Sequence, residues 1–256
     1  MERKLWTREE LILALNLYLK LPFGKLDSRT PEIIQLAEKL GRTPGSISMR
    51  LNNFASVDPF HQQRGVKGLT GGIKQVQPIW DEFIGNKEEL LFESERILAD
   101  VEKQSIETKF STILKDIENL NGETKIREVK TRVNQHTFRQ IVLANYSSKC
   151  AITGIDLPDL LIASHIIPWS ANEQERLNPE NGICLSPLYD KAFDKGLIAV
   201  DGNYKILLSK EIKDRTTKAF YYDYFGKIEG KNIQLPQKYL PKKEFLEWHL
   251  DKFFNS

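Results

Sequence analysis

Cysteine is nearly missing from this chain: Cys150 and Cys184 are the only two among 256 residues. Neither belongs to a Cys-x-x-Cys pair, and a structural zinc needs about four ligands, so no structural zinc is expected. In a reducing cytosol both would be buried thiols rather than a disulfide. Long apolar runs are absent too, since no stretch approaches the roughly 20 residues of a membrane span. The opening Met-Glu-Arg-Lys-Leu-Trp lacks the apolar core of a signal peptide. A cytoplasmic protein with no membrane partner is the expectation. The glycine-rich stretch at residues 60–72 has no Gly-Lys-Ser/Thr ending, which argues against a nucleotide cofactor. Excess charge of one sign is also lacking: the net charge of +2 does not by itself demand nucleic acid.

What is present begins with three helical patterns. Thr7-Arg-Glu-Glu10 is a capping box ahead of Leu11, Leu13, Ala14, Leu17 and Leu19, and the loop Leu21-Pro-Phe-Gly24 ends that helix. Thr30-Pro31 opens a second helix, and Thr43-Pro44 opens a third after the break at Gly41-Arg42. Helix, short glycine-containing turn, helix outlines a helix-turn-helix-like unit. Its third helix is expected to expose Ser46, Ser48, Arg50, Asn52 and Asn53, acid-free residue types suited to base edges and phosphates. The plainer alternative is a small helical bundle with a wet polar side.

Pro78-Ile-Trp-Asp-Glu-Phe83 predicts a short helix. Residues 87–120 then suit amphipathic helices, either a connector or a dimer contact, and Asn121-Gly122 marks a boundary. Beyond it the cations Lys125, Arg127, Lys130, Arg132 and Arg139 are interrupted only by Glu123 and Glu128. Such a run either follows a phosphate backbone or forms a solvated helix face. A helix is expected over residues 137–146, strands at Cys150-Ala-Ile152 and residues 160–166, a hairpin around Asp201-Gly202-Asn203, and a closing helix over residues 245–254.

The chemistry concentrates in Ser164-His-Ile-Ile-Pro-Trp-Ser170, Asn181-Gly-Ile-Cys-Leu185 and Tyr189-Asp-Lys-Ala-Phe-Asp-Lys-Gly196. A histidine closes a short apolar strand, an Asn-Gly opens a second, and a helix then carries Asp190 and Asp194 one turn apart. An imidazole beside two stacked carboxylates suits a cation and an activated water set against a phosphodiester. With Gln135-His-Thr-Phe-Arg139 and Tyr146-Ser-Ser-Lys-Cys-Ala-Ile-Thr-Gly154 upstream, residues 132–202 resemble the HNH endonucleases, most closely their restriction-type branch.

The helical patterns of residues 1–122 and the resemblance beyond them together give an expected α+β chain. A helical, helix-turn-helix-like DNA-recognition domain would span residues 1–85, a helical connector residues 86–122, and a ββα-metal HNH nuclease domain residues 123–256. The resemblance makes His165 the base and Asn181 the residue that fixes the loop and so orients it. Asp190 and Asp194 become ligands for Mg²⁺ or Mn²⁺. Ser164 stands where many relatives carry an acidic or histidine ligand, so it is a candidate but weak donor. Arg139 is a candidate phosphate clamp, or else pairs with Asp156 or Asp159, and Lys130 and Arg132 are candidate DNA contacts. The expected substrate is double-stranded DNA, cut to 5′-phosphate and 3′-hydroxyl ends in restriction or defence, with a homodimer or two sequential nicks to cut both strands. The rivals are a non-catalytic DNA-binding protein on a degenerate scaffold and an RNA-directed nuclease. Nothing in the sequence alone resembles a platform for stacking single strands.

Overall fold

The computed structural model describes residues 5–22, 24–65, 69–117 and 119–254. Val66, Lys67 and Gly68 of the glycine-rich stretch, Phe23 of the first loop and the first four residues therefore lie outside the described residues. The chain is mixed helix and small sheets, and it divides into two compact units, one up to Thr137 and one from Phe138.

The first unit is helical: α1 (Arg8–Lys20), α2 (Pro31–Leu40), α3 (Pro44–Val57), a short α4 (Pro59–Gln63), α5 (Ile73–Phe83), α6 (Lys87–Val101), α7 (Ile106–Lys109) and α8 (Ser111–Leu114). The capping box forms as expected: the Glu10 main-chain N–H donates to Thr7 Oγ1, and Glu10 Oε2 accepts from the Thr7 main-chain N–H at 2.9 Å. The same buried carboxylate takes Arg42 through Nε at 2.9 Å and Nη2 at 2.6 Å, tying the start of α1 to the turn between α2 and α3. Around α1 pack α3, α5 and α6, burying Ile12, Tyr18, Ile47, Leu51, Phe54, Phe83 and Leu91. The segment expected as a connector contributes to this packing through α6. Glu95 on α6 is 3% exposed and is held by Lys20, by Lys109 at 3.2 Å and by Asn16 at 3.3 Å. Those cations hold its carboxyl down at about 2 against the opposing effect of burial.

Two helices begin earlier than the sequence signals. α5 starts at Ile73 and contains Pro78, whose fixed φ suits a helix although its ring removes one hydrogen bond. α9 (Gly122–Asn145) starts fifteen residues before the expected Thr137 and passes through the division between the units. Its first half belongs to the first unit because Val129 and Val133 share a core cluster with Phe110, Leu114 and Ile117. An apolar seam of that kind outweighs the turn signal of Asn121-Gly122.

The second unit takes the rest of α9, then β1 (Ile162–His165), β2 (Gly182–Leu185), α10 (Pro187–Asp194), β3 (Ile198–Val200), β4 (Ile206–Leu208), α11 (Lys210–Arg215), α12 (Lys218–Phe220) and α13 (Lys243–Phe253). β1 and β2 pair antiparallel with His165 opposite Gly182 and Ser164 opposite Ile183. β3 and β4 form the expected hairpin, closed where Asp201 Oδ1 accepts from the N–H groups of Asn203 and Lys205, both at 2.8 Å. The strand expected at Cys150–Ile152 is instead a tight turn. Gly154 adopts φ +73°, its N–H donates to the Cys150 carbonyl at 2.9 Å, and the Cys150 N–H donates to Ile155. Only Ala151 keeps a strand-like bond, to the Cys184 carbonyl.

Candidate active site

β1, β2 and α10 bring together the residues singled out at the motif. α10 packs on β1, so its side chains meet those of Ser164 and His165. The strand opposite His165 must begin with glycine. A Cβ at residue 182 would stand 2.5 Å from Val142 Cγ2 and 3.1 Å from the Phe138 ring. That close approach lets α9 lay Phe138 flat against the His165 imidazole, with centroids 4.3 Å apart and planes 14° apart. Trp169 meets the same imidazole edge-on at 5.7 Å.

His165 Nε2 lies 2.9 Å from the carbonyl oxygen of Arg176. A carbonyl can only accept, so Nε2 carries the proton and Nδ1 keeps the lone pair. Burial pushes the imidazole below its ordinary value, while the Arg176 carbonyl and the charge of Asp194 act in the opposite direction. Near pH 7 the ring is therefore neutral and able to accept a proton.

The loop that delivers the Arg176 carbonyl is fixed by Asn181, which is fully buried. Its Oδ1 accepts from the Ile167 N–H at 2.8 Å, and its Nδ2 donates to the carbonyls of Ile167 and Glu175, each at 3.1 Å. All of these bonds are internal, so Asn181 is a positioning residue that acts on His165 through the loop. Arg176 closes the same loop, donating Nε to the Trp169 carbonyl at 2.6 Å and laying its guanidinium over the indole.

Asp190 and Asp194 share one face of α10. Burial raises the Asp190 carboxyl above its ordinary value; the Ser164 hydroxyl opposes that, and Asp194 adds to it. Burial also raises Asp194, against Lys191, His165 and Lys195. Neither carboxylate enters a salt bridge among the described residues. Ser164 is 2% exposed, and its Oγ is buried without a hydrogen bond of ordinary geometry. The Ser164 hydroxyl faces the Asp190 carboxyl, so three oxygen-bearing side chains gather beside His165.

The described residues contain no cluster of three His, Cys, Asp or Glu side chains able to hold a metal alone. Two carboxylates and a hydroxyl nevertheless fit a hard cation that keeps several waters and leans on substrate phosphates, which is how Mg²⁺ is usually held. Zinc, with its preference for nitrogen and sulfur, fits this set poorly.

α10 ends where Gly196 takes φ +64° and passes so close to α13 that a Cβ there would lie 1.7 Å from the Phe253 carbonyl oxygen. From α13, His249 stacks on Phe193 at 3.7 Å and 2° and sets its Nε2 3.1 Å from the Phe193 carbonyl oxygen. The residue next to Asp194 is thereby clamped from two directions.

The remaining sequence candidates fare differently. Arg139 binds neither Asp156 nor Asp159. Its guanidinium donates to the carbonyls of Leu161 at 2.5 Å and Pro158 at 3.0 Å, holding the approach to β1. Lys130 is spent on Glu89 at 2.8 Å and Glu88 at 3.7 Å, so its charge is balanced locally, whereas Arg132 makes no ion pair among the described residues.

On α3 the expectation of an exposed polar face is corrected. Asn53 is 5% exposed and donates to the Leu69 carbonyl. Ser48 donates to the Leu26 carbonyl, and Asn52 to the Ser48 carbonyl. Ser48 and Asn53 thus satisfy carbonyls of the segments at Leu26 and Leu69, while Asn52 bonds back onto α3 itself. Ser46 lends its main-chain N–H to the Thr43 cap at 3.2 Å. Arg50 lies with Arg42 against Trp6, at 4.8 and 4.2 Å, and has no carboxylate partner among the described residues.

Phe138, Trp169, Arg176, Gly182 and His249 were not singled out for the site by the sequence. Arg176 acts through its main chain, which leaves no residue-type signal, and Phe138 and His249 come from distant helices.

Residues 150–201 match the family model described as HNH endonuclease, a segment that contains Ser164, His165, Asn181, Asp190 and Asp194. No curated protein matches the chain. HNH nucleases generally use a divalent metal and act on nucleic acid, so the match points to a nuclease.

Proposed function

We propose that this chain, with its HNH endonuclease segment at residues 150–201, is a metal-dependent endonuclease that hydrolyses phosphodiester bonds of double-stranded DNA. The observation that carries the reading is the His165 imidazole, whose Nε2 is spent on the Arg176 carbonyl so that Nδ1 is the free base. Beside it stand Asp194, Asp190 and the buried Ser164 hydroxyl that faces Asp190.

His165 Nδ1 takes the proton from the attacking water, and Asn181 holds the loop that keeps the ring in its tautomer. Asp190 and Asp194 would hold Mg²⁺ or Mn²⁺, with Ser164 as a third oxygen. When bound, that cation supplies charge neutralisation at the scissile phosphate. Phe138 and Trp169 shield the imidazole from bulk water and keep it neutral. The products carry 5′-phosphate and 3′-hydroxyl ends, the role is restriction or another defence against foreign DNA, and double-strand cleavage uses a homodimer or two successive nicks. Arg50 and Arg132, cations without a carboxylate partner, are the best remaining candidates for backbone contacts outside the catalytic segment.

The test is supercoiled plasmid incubated with the protein and Mg²⁺, Mn²⁺ or EDTA, followed by end-group analysis of the cut strand. Metal-dependent nicking that leaves 5′-phosphates is the expected result. Binding without any nicking would establish the non-catalytic reading, and cleavage of RNA alone would change the substrate.

A further inference from the structure

Beyond α11 the second unit carries a surface that the proposed chemistry does not use. α12 runs into a π-helical turn at Tyr221–Gly226, and the two together place three large rings in the open: Phe220 at 40% exposure, Tyr222 at 63% and Tyr224 at 46%. Single exposed rings need no explanation, but three within five residues do. The rings are not left loose. Phe220 and Tyr224 sit 4.7 Å apart, and Tyr221 braces Tyr222 edge-on at 5.6 Å while donating its hydroxyl to Glu229 at 2.7 Å.

Cations flank the rings in sequence, Lys218 before Phe220 and Lys227 after Phe225, with Asp223 between Tyr222 and Tyr224. The acids nearby are mostly occupied: Glu229 by Lys213, Glu211 by Arg215 at 2.9 Å, and Asp223 by Lys227 at 3.8 Å. Among the described residues Lys210, Lys218 and Lys231 have no carboxylate partner. The patch is also built onto the site helix. Tyr189, the residue before Asp190, donates its hydroxyl to the Tyr224 carbonyl and packs its ring on Phe225 at 5.9 Å. A ligand lying on this turn is thus coupled by one side chain to α10.

We propose that residues 218–227 form a stacking platform for unpaired bases of a nucleic-acid strand that runs across α10. Rings with open faces take any base, and neighbouring lysines track the phosphates between them. A self-association surface fits less well, because the cores of protein interfaces are depleted in the charges found here. The strand's path past α10 rests on the nuclease reading; the platform itself does not.

The experiment measures binding of labelled oligothymidine and of a blunt duplex to the full-length protein in EDTA, where nothing is cut. Wild type is compared with Tyr222→Ala/Tyr224→Ala, Tyr222→Ala and Tyr222→Trp, with melting curves and size-exclusion profiles for each. Oligothymidine affinity should fall about tenfold or more in the double variant, less in Tyr222→Ala, and hold in Tyr222→Trp. Melting should not change, because the rings are exposed. Lys218→Ala should flatten the dependence of log affinity on log salt by about one unit. Unchanged strand affinity in both alanine variants would overturn the platform, and a change confined to oligomeric state would reassign the patch to self-association. Plasmid nicking separates the two ideas. A chain that nicks yet shows no strand loss keeps its chemistry and loses the platform, whereas one that never nicks but shows the loss keeps the platform alone.

Discussion

α3 and the β1–β2–α10 motif are both rich in small polar residues, yet they use them in opposite ways. On α3 the polar groups are turned inward: Ser48, Asn52 and Asn53 each satisfy a main-chain carbonyl. At the motif the Ser164 hydroxyl faces only the Asp190 carboxyl, the two aspartates enter no salt bridge among the described residues, and one imidazole nitrogen is free. A polar side chain that closes a turn or covers a carbonyl is already in its final state. One that is buried and left unpartnered costs free energy unless something arrives to meet it. The contrast supports the proposal of ligand chemistry at the motif, while the α3 polar set bonds within the first unit.

The sharpest break of that contrast is His165→Ala. Loss of a general base should slow cleavage by about 10²–10⁴-fold, with DNA affinity in EDTA preserved. Equal loss of binding would mean that the histidine only props up the fold. Next comes Asp190→Asn, which keeps the shape and removes the charge. Cleavage should then need about 10–100-fold more metal, scaled on the effect of altering metal-site partners, and a metal titration of nicking rate reads it.

An acid limb of stability follows. The His249 imidazole is pushed down to about 4 by burial, with its Phe193 bond opposing, against an ordinary value of 6.5. Between those values the unfolded chain binds a proton that the folded one refuses, so stability is full above 6.5 and falls as pH drops towards 4. The contribution is roughly 3 kcal/mol. His249→Phe should flatten that limb in melting curves, and an unchanged slope would assign it elsewhere.

Smaller effects test each side of the contrast. Gly182→Ala forces a methyl into Val142 and Phe138, and Asn53→Ala leaves the Leu69 carbonyl only the Ser56 hydroxyl at 3.5 Å. Each should cost about 1–3 kcal/mol of stability by chemical denaturation. Only Gly182→Ala should also slow cleavage, because Phe138 backs His165. Smallest of all, Ser48→Ala and Asn52→Ala should leave DNA affinity unchanged, while Arg50→Ala should lower the salt slope of binding by about one. Base-specific losses at Ser48 or Asn52 would restore α3 as a reading helix.

The motif was legible because its parts are local. A strand-ending histidine, an Asn-Gly and two aspartates at helical spacing can be read within thirty-one residues, from Ser164 to Asp194. The helices of the first unit were legible from caps such as Thr7 and Thr43. The turn at Cys150 was not, because Cys-Ala-Ile is apolar and only the positive φ at Gly154 bends it back. Nor was the early start of α9, which depends on Phe110 and Leu114 offering a seam to Val129 and Val133. The backing of the imidazole by Phe138, the Arg176 carbonyl and the His249 clamp depends on pairs distant in sequence. The rings of the 218–227 turn carry no local signal that marks them as exposed.

The central claim is that the free donors of α10 and β1 await a cation, and the most direct test needs no DNA. Mn²⁺ binding is followed by electron paramagnetic resonance for wild type and for Asp190→Asn/Asp194→Asn, with both proteins shown to be folded by circular dichroism. The account requires one bound Mn²⁺ in wild type and none of comparable affinity in the variant. Equal binding by the two proteins would place the metal elsewhere and contradict it.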